Sequence, residues 1–293
     1  MTAERHILGL IGAKIGRSIS PAMHEAAARA LGFDLHYHLI DTDRLALGQK
    51  DLPRLLDSAR LLGFTGLNVT HPFKESVVRH LDMVEGVAAA LGCVNTVVFR
   101  DGRMIGHNTD HTGFVAGWNR ALPGLKPGRA ALIGAGGAGR AIAHALITLG
   151  ATSLRVTDLE AGRAQALARE LRATHPAVSV AVAPDAHAAS EGADGIVNAT
   201  PIGMHAYPGN PVPAAALSGM KWASDAVYTP LETEFIAAAR RAGAAVMTGQ
   251  ELAIGQAVDA FALFLGRPAP VDAMRAAFLQ RVRTAPANTR AAS

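Results

Sequence analysis

Short apolar runs and strict alternations of apolar and polar residues take turns, along most of this chain, with longer stretches whose apolar positions recur at helical spacing. That exchange of rhythms predicts a layered α/β protein. Residues 7–11 read as a buried strand, 12–20 as a glycine- and serine-rich turn, and 21–31 as a helix opened by Pro21. Residues 35–40 alternate, with Leu35, Tyr37 and Leu39 on one face and His36 and His38 on the other. With no carboxylate or third histidine at ligand spacing, the two histidines read as a polar strand face rather than a metal site. A helix over 51–62 and a strand over 66–70 complete β-α-β-α-β, the pattern of a mainly parallel sheet.

Leu67 and Val69 then point into the fold, while Asn68 and Thr70 share the other face. Pro72 predicts a helix from residue 73, with Phe73, Val77, Val78, Leu81 and Val84 as its apolar stripe and Lys74 in its first turn. His71, extended before Pro72, points away from Thr70. A strand over 92–99 carries Asn95, Asp101-Gly102 signals a two-residue hairpin, and the return strand leads to Asn108-Thr109-Asp110 ahead of a helix over 112–122. Asp110 there suits a helix cap, as Ser18 and Ser20 do ahead of Pro21. Capping needs only one serine, however, and Asn68, Thr70 and Lys74 converge on a single strand-to-helix corner.

Residues 123–128, Pro-Gly-Leu-Lys-Pro-Gly, read as a linker. Beyond it an apolar strand runs into Gly134-Ala135-Gly136-Gly137-Ala138-Gly139-Arg140 and a helix to about 149. This is G-x-G-x-x-G in the strand–turn–helix setting that binds a dinucleotide pyrophosphate on free backbone N–H groups. The next strand ends in Asp158, where a carboxylate accepts the ribose hydroxyls of NAD and repels the extra phosphate of NADP. Arg163 lies near enough to stack on adenine or pair with a phosphate, so NAD is the preferred cofactor and NADP is not excluded. Later strands end at Thr200, Gly203 and Tyr228, on the ligand side of a doubly wound sheet. A helix over 250–265 has Gln256 breaking its apolar side, another helix covers 274–282, and the tail from Thr284 reads as frayed. The division expected is a substrate domain of residues 1–122 and 250–293 around a dinucleotide-binding domain of residues 123–249.

Composition agrees with a packed α/β chain: 293 residues, 49% hydrophobic and 18% charged. The net charge of +4 is scattered, and no helix-turn-helix, zinc pattern or basic tract stands out, so a nucleic-acid partner is not expected. An anionic small molecule suits the charge better. Cys93 is the only cysteine, and the N-terminal apolar run is too short for a signal peptide or membrane span, so the expectation is a cytoplasmic protein.

Ser18-Ile19-Ser20-Pro21, Asn68 to Lys74, Gly92 to Thr96, Asn108 to Asp110, Gly134 to Arg140, Asn198 to Met204 and Gly249 to Gln256 occur in that order. Over about residues 7–282 the chain thereby resembles the shikimate dehydrogenases, including their quinate/shikimate branch. The resemblance implies a catalytic Lys74–Asp110 pair in a cleft between two domains. It implies substrate contacts from Ser18, Ser20, Asn68, Thr70, Asn95, Asp110, Tyr228 and Gln256, with the serines and Tyr228 on the carboxylate. Gly134, Gly136, Gly137, Ala138, Gly139, Asp158, Arg163, Thr200, Gly203, Met204, Gly249 and Leu252 are the cofactor set. Two departures matter. Thr157-Asp158-Leu159 stands where NADP-using members carry an Asn-Arg-Thr-type run, and Leu252 stands where many have Met against the nicotinamide. Ser20, in place of the Thr found in good quinate oxidisers, favours shikimate. The expected assembly is a monomer or homodimer. The rival readings are a non-catalytic small-molecule sensor on the same fold and a folate-type two-domain dehydrogenase.

Overall fold

The computed structural model describes residues 5–284. They pack as two compact units, one formed by residues 5–109 and 256–284 and the other by residues 110–255. The first unit opens with β1 (Arg5–Gly12), α1 (Ser20–Ala30), β2 (Asp34–Asp41), α2 (Leu52–Leu61) and β3 (Gly66–Val69). It continues through β4 (Met83–Val84), α3 (Val87–Leu91), β5 (Thr96–Arg100) and β6 (Arg103–His107). The strands form one mixed sheet in the order β2-β1-β3-β5-β6-β4. β1 is parallel to both β2 and β3, whereas β3–β5 and β5–β6 are antiparallel. Asp101 and Gly102 take positive φ (52° and 74°) at the β5–β6 turn, the conformation that an Asp-Gly hairpin provides. Leu67 and Val69 are buried with Ile11, Leu56, Phe73 and Val77 in one apolar cluster.

The helix expected from Pro72 does not form. The His71–Pro72 peptide is cis, residues 76–80 make a short 3₁₀ turn, and Leu81 is already extended. Met83 and Val84 then pair with Ile105 and Gly106 as β4, so edge pairing in the sheet takes the residues that periodicity assigned to a helical stripe. The apolar set still turns inward, with Phe73 and Val77 fully buried. The strand expected over 92–99 is likewise shorter, because Gly92 is left-handed (φ 57°) and ends α3.

The second unit follows with α4 (Thr109–Ala121), β7 (Arg129–Ile133), α5 (Gly137–Thr148), β8 (Ser153–Thr157), α6 (Ala161–Thr174), β9 (Ser179–Val182) and α7 (Ala186–Ser190). β10 (Gly195–Asn198), β11 (Trp222–Asp225), α8 (Glu234–Arg241), β12 (Ala245–Met247) and α9 (Gly249–Leu265) come next, with α10 (Val271–Thr284) returning to the first unit. The sheet is wholly parallel in the order β12-β11-β10-β7-β8-β9, so its first strand, β7, lies at the centre. Counted from β7 this is the doubly wound order 3-2-1-4-5-6, which reverses between β7 and β10.

The unit boundaries differ from those expected at 122/123 and 249/250. They fall at 109/110 and 255/256 because Phe114, Trp118 and Leu252 are buried with Trp222 and Met247 in the core of the second unit. The indoles of Trp118 and Trp222 meet edge-on at 4.7 Å, a pairing that contributes about 1 kcal/mol beyond its buried area. The supposed linker is fixed to that core as well. Trp118 Nε1 donates to the Leu125 carbonyl and Trp222 Nε1 to that of Pro127. No helix among the described residues is long and apolar enough to cross a membrane. Beyond Thr284 the predicted tail lies outside the described residues.

Candidate functional site

In the first unit the expected substrate residues gather at the ends of β1, β3 and β5. Ser18 and Ser20 are half-buried ahead of and at the start of α1. Ser18 Oγ donates to Ser20 Oγ (3.2 Å) and accepts the Ser20 N–H (3.3 Å), while Ile19, at the N-cap position, makes no side-chain cap. The pair therefore forms a small hydroxyl cluster rather than a standard cap.

Asn68 is buried in the central strand β3. Its Nδ2 donates to the Asn95 carbonyl (3.3 Å) and to Thr96 Oγ1 (3.0 Å). A carbonyl can only accept, so the Asn95 contact fixes which end of the amide is nitrogen. The Tyr37 hydroxyl must then donate to Asn68 Oδ1, at 2.7 Å. Both Nδ2 hydrogens are engaged, and what Asn68 can still offer a ligand is an acceptor lone pair. Asn95, also buried, is its complement. Asn95 Oδ1 accepts the Thr109 N–H (2.7 Å) and Thr96 Oγ1 (2.9 Å), while Nδ2 gives one hydrogen to Thr109 Oγ1 (3.0 Å) and keeps one donor in hand.

Lys74 is half-buried, and its backbone carbonyl accepts the Val94 N–H (2.8 Å), one residue from Asn95. The same hydrogen-bonded frame therefore anchors the backbone of Lys74 and, through Asn95 and Thr109, the residue before Asp110. Asp110 stands inside the first turn of α4 rather than ahead of it, so the capping reading is corrected: the helix begins at Thr109. Thr70 sits just past β3, with its N–H on the Ile11 carbonyl (2.9 Å). Gln256 is half-buried on α9. Tyr228, three residues beyond β11 in the second unit, is half-buried, and burial pushes its phenol pKa up.

The glycine loop of the second unit lies between β7 and α5. Gly134 has φ +100°, and a Cβ on Gly139 would stand 2.0 Å from the Gly134 carbonyl oxygen, so the loop closes backbone on backbone. Gly136 differs: a Cβ there would meet nothing within 4 Å. No protein atom explains its glycine, and it is the N-cap of α5, where no side chain caps the helix. Room and uncapped N–H groups at one point, with Gly137 and Ala138 in the first turn, fit a pyrophosphate. Gly136→Ala is accordingly expected to leave the thermal midpoint unchanged and to weaken dinucleotide binding by about tenfold or more. Calorimetric titration beside a melting curve checks both parts.

Asp158 Oδ2 accepts the Ala135 N–H (2.7 Å) and Oδ1 the Glu160 N–H (2.8 Å), so the carboxylate is fixed beside the loop. Arg163 is exposed and paired with Glu160 at 2.8 Å. At the end of β10, Thr200 Oγ1 donates to Asn198 Oδ1 (2.6 Å), and Asn198 Nδ2 ties the Ile202 carbonyl and Asp225 Oδ1, both at 2.9 Å. Gly203 then turns at φ +107°, and Met204, 39% exposed, pairs with Tyr207. Gly249 has a packing reason, since a Cβ would stand 2.3 Å from the Val227 carbonyl oxygen. Leu252 belongs to the core of this unit. The reading from sequence missed Tyr37, Thr96, Asn198 and Asp225. A tyrosine on the apolar face of an alternating strand was the signal for the first, because a buried phenol needs a partner.

The family model described as the shikimate dehydrogenase substrate binding domain matches residues 10–97, and the shikimate 5'-dehydrogenase C-terminal domain matches residues 251–277. The chain is 50% identical to a shikimate dehydrogenase (NADP(+)) of Streptomyces avermitilis, over 94% of each chain. It is 45% identical to a quinate/shikimate dehydrogenase (NAD(+)) of Corynebacterium efficiens, covering 95% of this chain and 99% of that one. Among solved structures, a quinate dehydrogenase from Corynebacterium glutamicum in complex with NAD superposes with a TM-score of 0.87 at 44% identity, over 94% of this chain and all of that one.

Proposed function

This chain belongs to the shikimate dehydrogenase family, and from that premise we propose that it reversibly oxidises shikimate to 3-dehydroshikimate with NAD, using Lys74 and Asp110 as the acid–base pair. The hydrogen-bond order at Asn68 and Asn95 carries the reading of the site. One buried amide is left with an acceptor and the other with a donor, beside the backbone anchor of Lys74. That arrangement suits a ring hydroxyl, which both donates and accepts. Ser18 and Ser20 supply hydroxyls for the carboxylate. Thr70, Gln256 and Tyr228 complete the set, and the preference for shikimate over quinate rests on Ser20.

In the oxidation, Lys74 Nζ takes the proton of the reacting hydroxyl; in the reduction it returns one to the same oxygen. Asp110 favours the ammonium form of Lys74 and orients it. When bound, the nicotinamide supplies the hydride acceptor. Gly134 to Gly139 and the N-terminus of α5 would hold the pyrophosphate, Asp158 the ribose hydroxyls, and Thr200, Gly203 and Met204 the nicotinamide end.

Asp158 supports NAD over NADP. A 2′-phosphate beside Asp158 would face that carboxylate, while Arg163, the nearby cation, is already paired with Glu160. A steady-state panel of shikimate and quinate, each with NAD and NADP, tests the proposal. The expected result is turnover of shikimate with kcat/KM for NAD about tenfold or more above that for NADP. A ratio favouring NADP would refute the role given to Asp158, and absence of reduced-nicotinamide absorbance with every pair would refute the enzyme.

A further inference from the structure

Asp41, the last residue of β2, lies outside every motif that carries the family resemblance, yet its carboxylate holds the loop that bears Ser18 and Ser20. It is 7% exposed. Oδ1 accepts the Lys14 N–H (3.0 Å) and Oδ2 the Ile15 N–H (3.1 Å), across 27 and 26 residues of chain. Oδ1 also closes a local turn on the Asp43 N–H (3.2 Å). The Ile15 carbonyl in turn accepts the Ser18 N–H (2.8 Å), so both peptide groups of Ile15 are fixed, one by Asp41 and one by the serine segment. Lys14 takes φ +57°, the left-handed region that a residue with a Cβ keeps only where its surroundings impose it. The bonds from Asp41 to Lys14 and Ile15 impose it here. Thr42 grips the base of the same loop, its N–H and Oγ1 both donating to the Gly12 carbonyl (2.9 and 3.2 Å). The Ala13 N–H reaches the His71 carbonyl (3.0 Å), and a Cβ on Gly12 would stand 2.3 Å from Thr70 Cγ2. The base of the loop is therefore packed on the Thr70–His71 corner, and Asp41 decides where the rest of it runs.

We infer that Asp41 is a positioning residue for the reaction, folding residues 14–18 onto the end of β2 so that the Ser18 and Ser20 hydroxyls have a set place relative to Thr70 before substrate arrives. The inference rests on the role proposed above for the two serines. Asp41 acts through backbone N–H groups and touches neither substrate nor cofactor. Its contribution is preorganisation: without the carboxylate, nothing keeps Lys14 left-handed, and the stretch from Lys14 to Ser18 loosens. Thr42 still holds Gly12 against Thr70, so the corner that carries Lys74 stays as it is. Substrate must then order the serine hydroxyls on binding, which raises its KM and leaves the proton transfer at Lys74 alone.

Asp41→Ala is expected to raise the KM for shikimate about tenfold, what ordering two side chains on binding costs, with kcat and the KM for NAD within about twofold of wild type. Asp41→Asn keeps the shape and one accepting oxygen, so it should give a smaller rise in the same constant, and it carries the test if the alanine variant does not fold. Ser18→Ala combined with Ser20→Ala, alone and together with Asp41→Ala, completes a cycle. Because Asp41 works through the serines, adding Asp41→Ala to the protein without them should change the shikimate KM less than about twofold. If removing the serines raises that KM while the Asp41 variants leave it unchanged, the positioning role fails and the substrate site stands. The same rise from Asp41→Ala with and without the serines would show an effect that bypasses them, and would overturn the inference. So would a fall in kcat together with a rise in both KM values, the mark of a general loss of structure. Unchanged shikimate KM on removing the serines would take away their proposed role and the inference together.

Discussion

Replacing Lys74 with alanine is expected to lower kcat about a thousandfold, within the range that a positioned general acid–base contributes. The Kd for NAD should stay within about threefold of wild type, because the residues proposed to hold it lie in the other unit, on the glycine loop and just past β8 and β10. The substitution is clean for a structural reason. What places this residue is its backbone carbonyl, which accepts the Val94 N–H at 2.8 Å, together with the fully buried neighbours Phe73 and Val77. Alanine keeps all of these, so loss of turnover with an unchanged melting temperature isolates the amine. Asp110→Asn should reduce kcat by a smaller factor, since an amide still orients but no longer favours the ammonium. Turnover of the Lys74→Ala protein close to wild type would remove Lys74 from the mechanism and leave the second unit's reading intact.

The second unit was far more legible in the sequence than the first, and the difference is physical. A parallel strand running into Gly134 to Gly139 and a helix obeys local rules: apolar run, tight turn, uncapped N-terminus. Each is written within a few residues, and β7, α5 and β8 follow them. The segment after Thr70 was misread because β4 exists only by pairing with β6, about twenty residues on, and no local period announces that. Asp110 was misplaced against its helix for a related reason. The Thr109 N–H that opens α4 is satisfied by Asn95, just ahead of β5, rather than by a neighbour in sequence. The residues proposed for substrate were found as isolated polar side chains, but not the order of donation among them. That order depends on Tyr37 and Thr96, which sequence reads as strand filler.

Replacing His24 with leucine should flatten the acid limb of the stability curve. His24 is wholly buried, neither ring nitrogen has a hydrogen-bond partner, and its neighbours Tyr37, Phe261 and Phe264 offer aromatic faces. Burial lowers its pKa from 6.5 to about 3, so the folded protein holds the imidazole neutral. The sign follows from proton uptake. At pH 7 the folded ring is neutral and the unfolded one only about a quarter protonated, so the group contributes little pH dependence there. As pH falls below 6.5 the unfolded chain takes up a proton that the folded chain refuses until about pH 3, so stability drains away through that window. Between pH 7 and pH 4 the loss from this one group is on the order of 3 kcal/mol. Asp225 acts in the opposite sense, because desolvation raises its pKa to about 6 and folding then takes up a proton as pH falls toward 3.8. For this reason the difference between wild type and variant is the informative quantity. Leucine is close in volume and removes two unpartnered nitrogens, so at pH 7 the variant should stay within about 1 kcal/mol of wild type. Urea unfolding at both pH values measures the gap, and parallel losses in the two proteins would show that His24 finds a proton or a polar partner in the folded state.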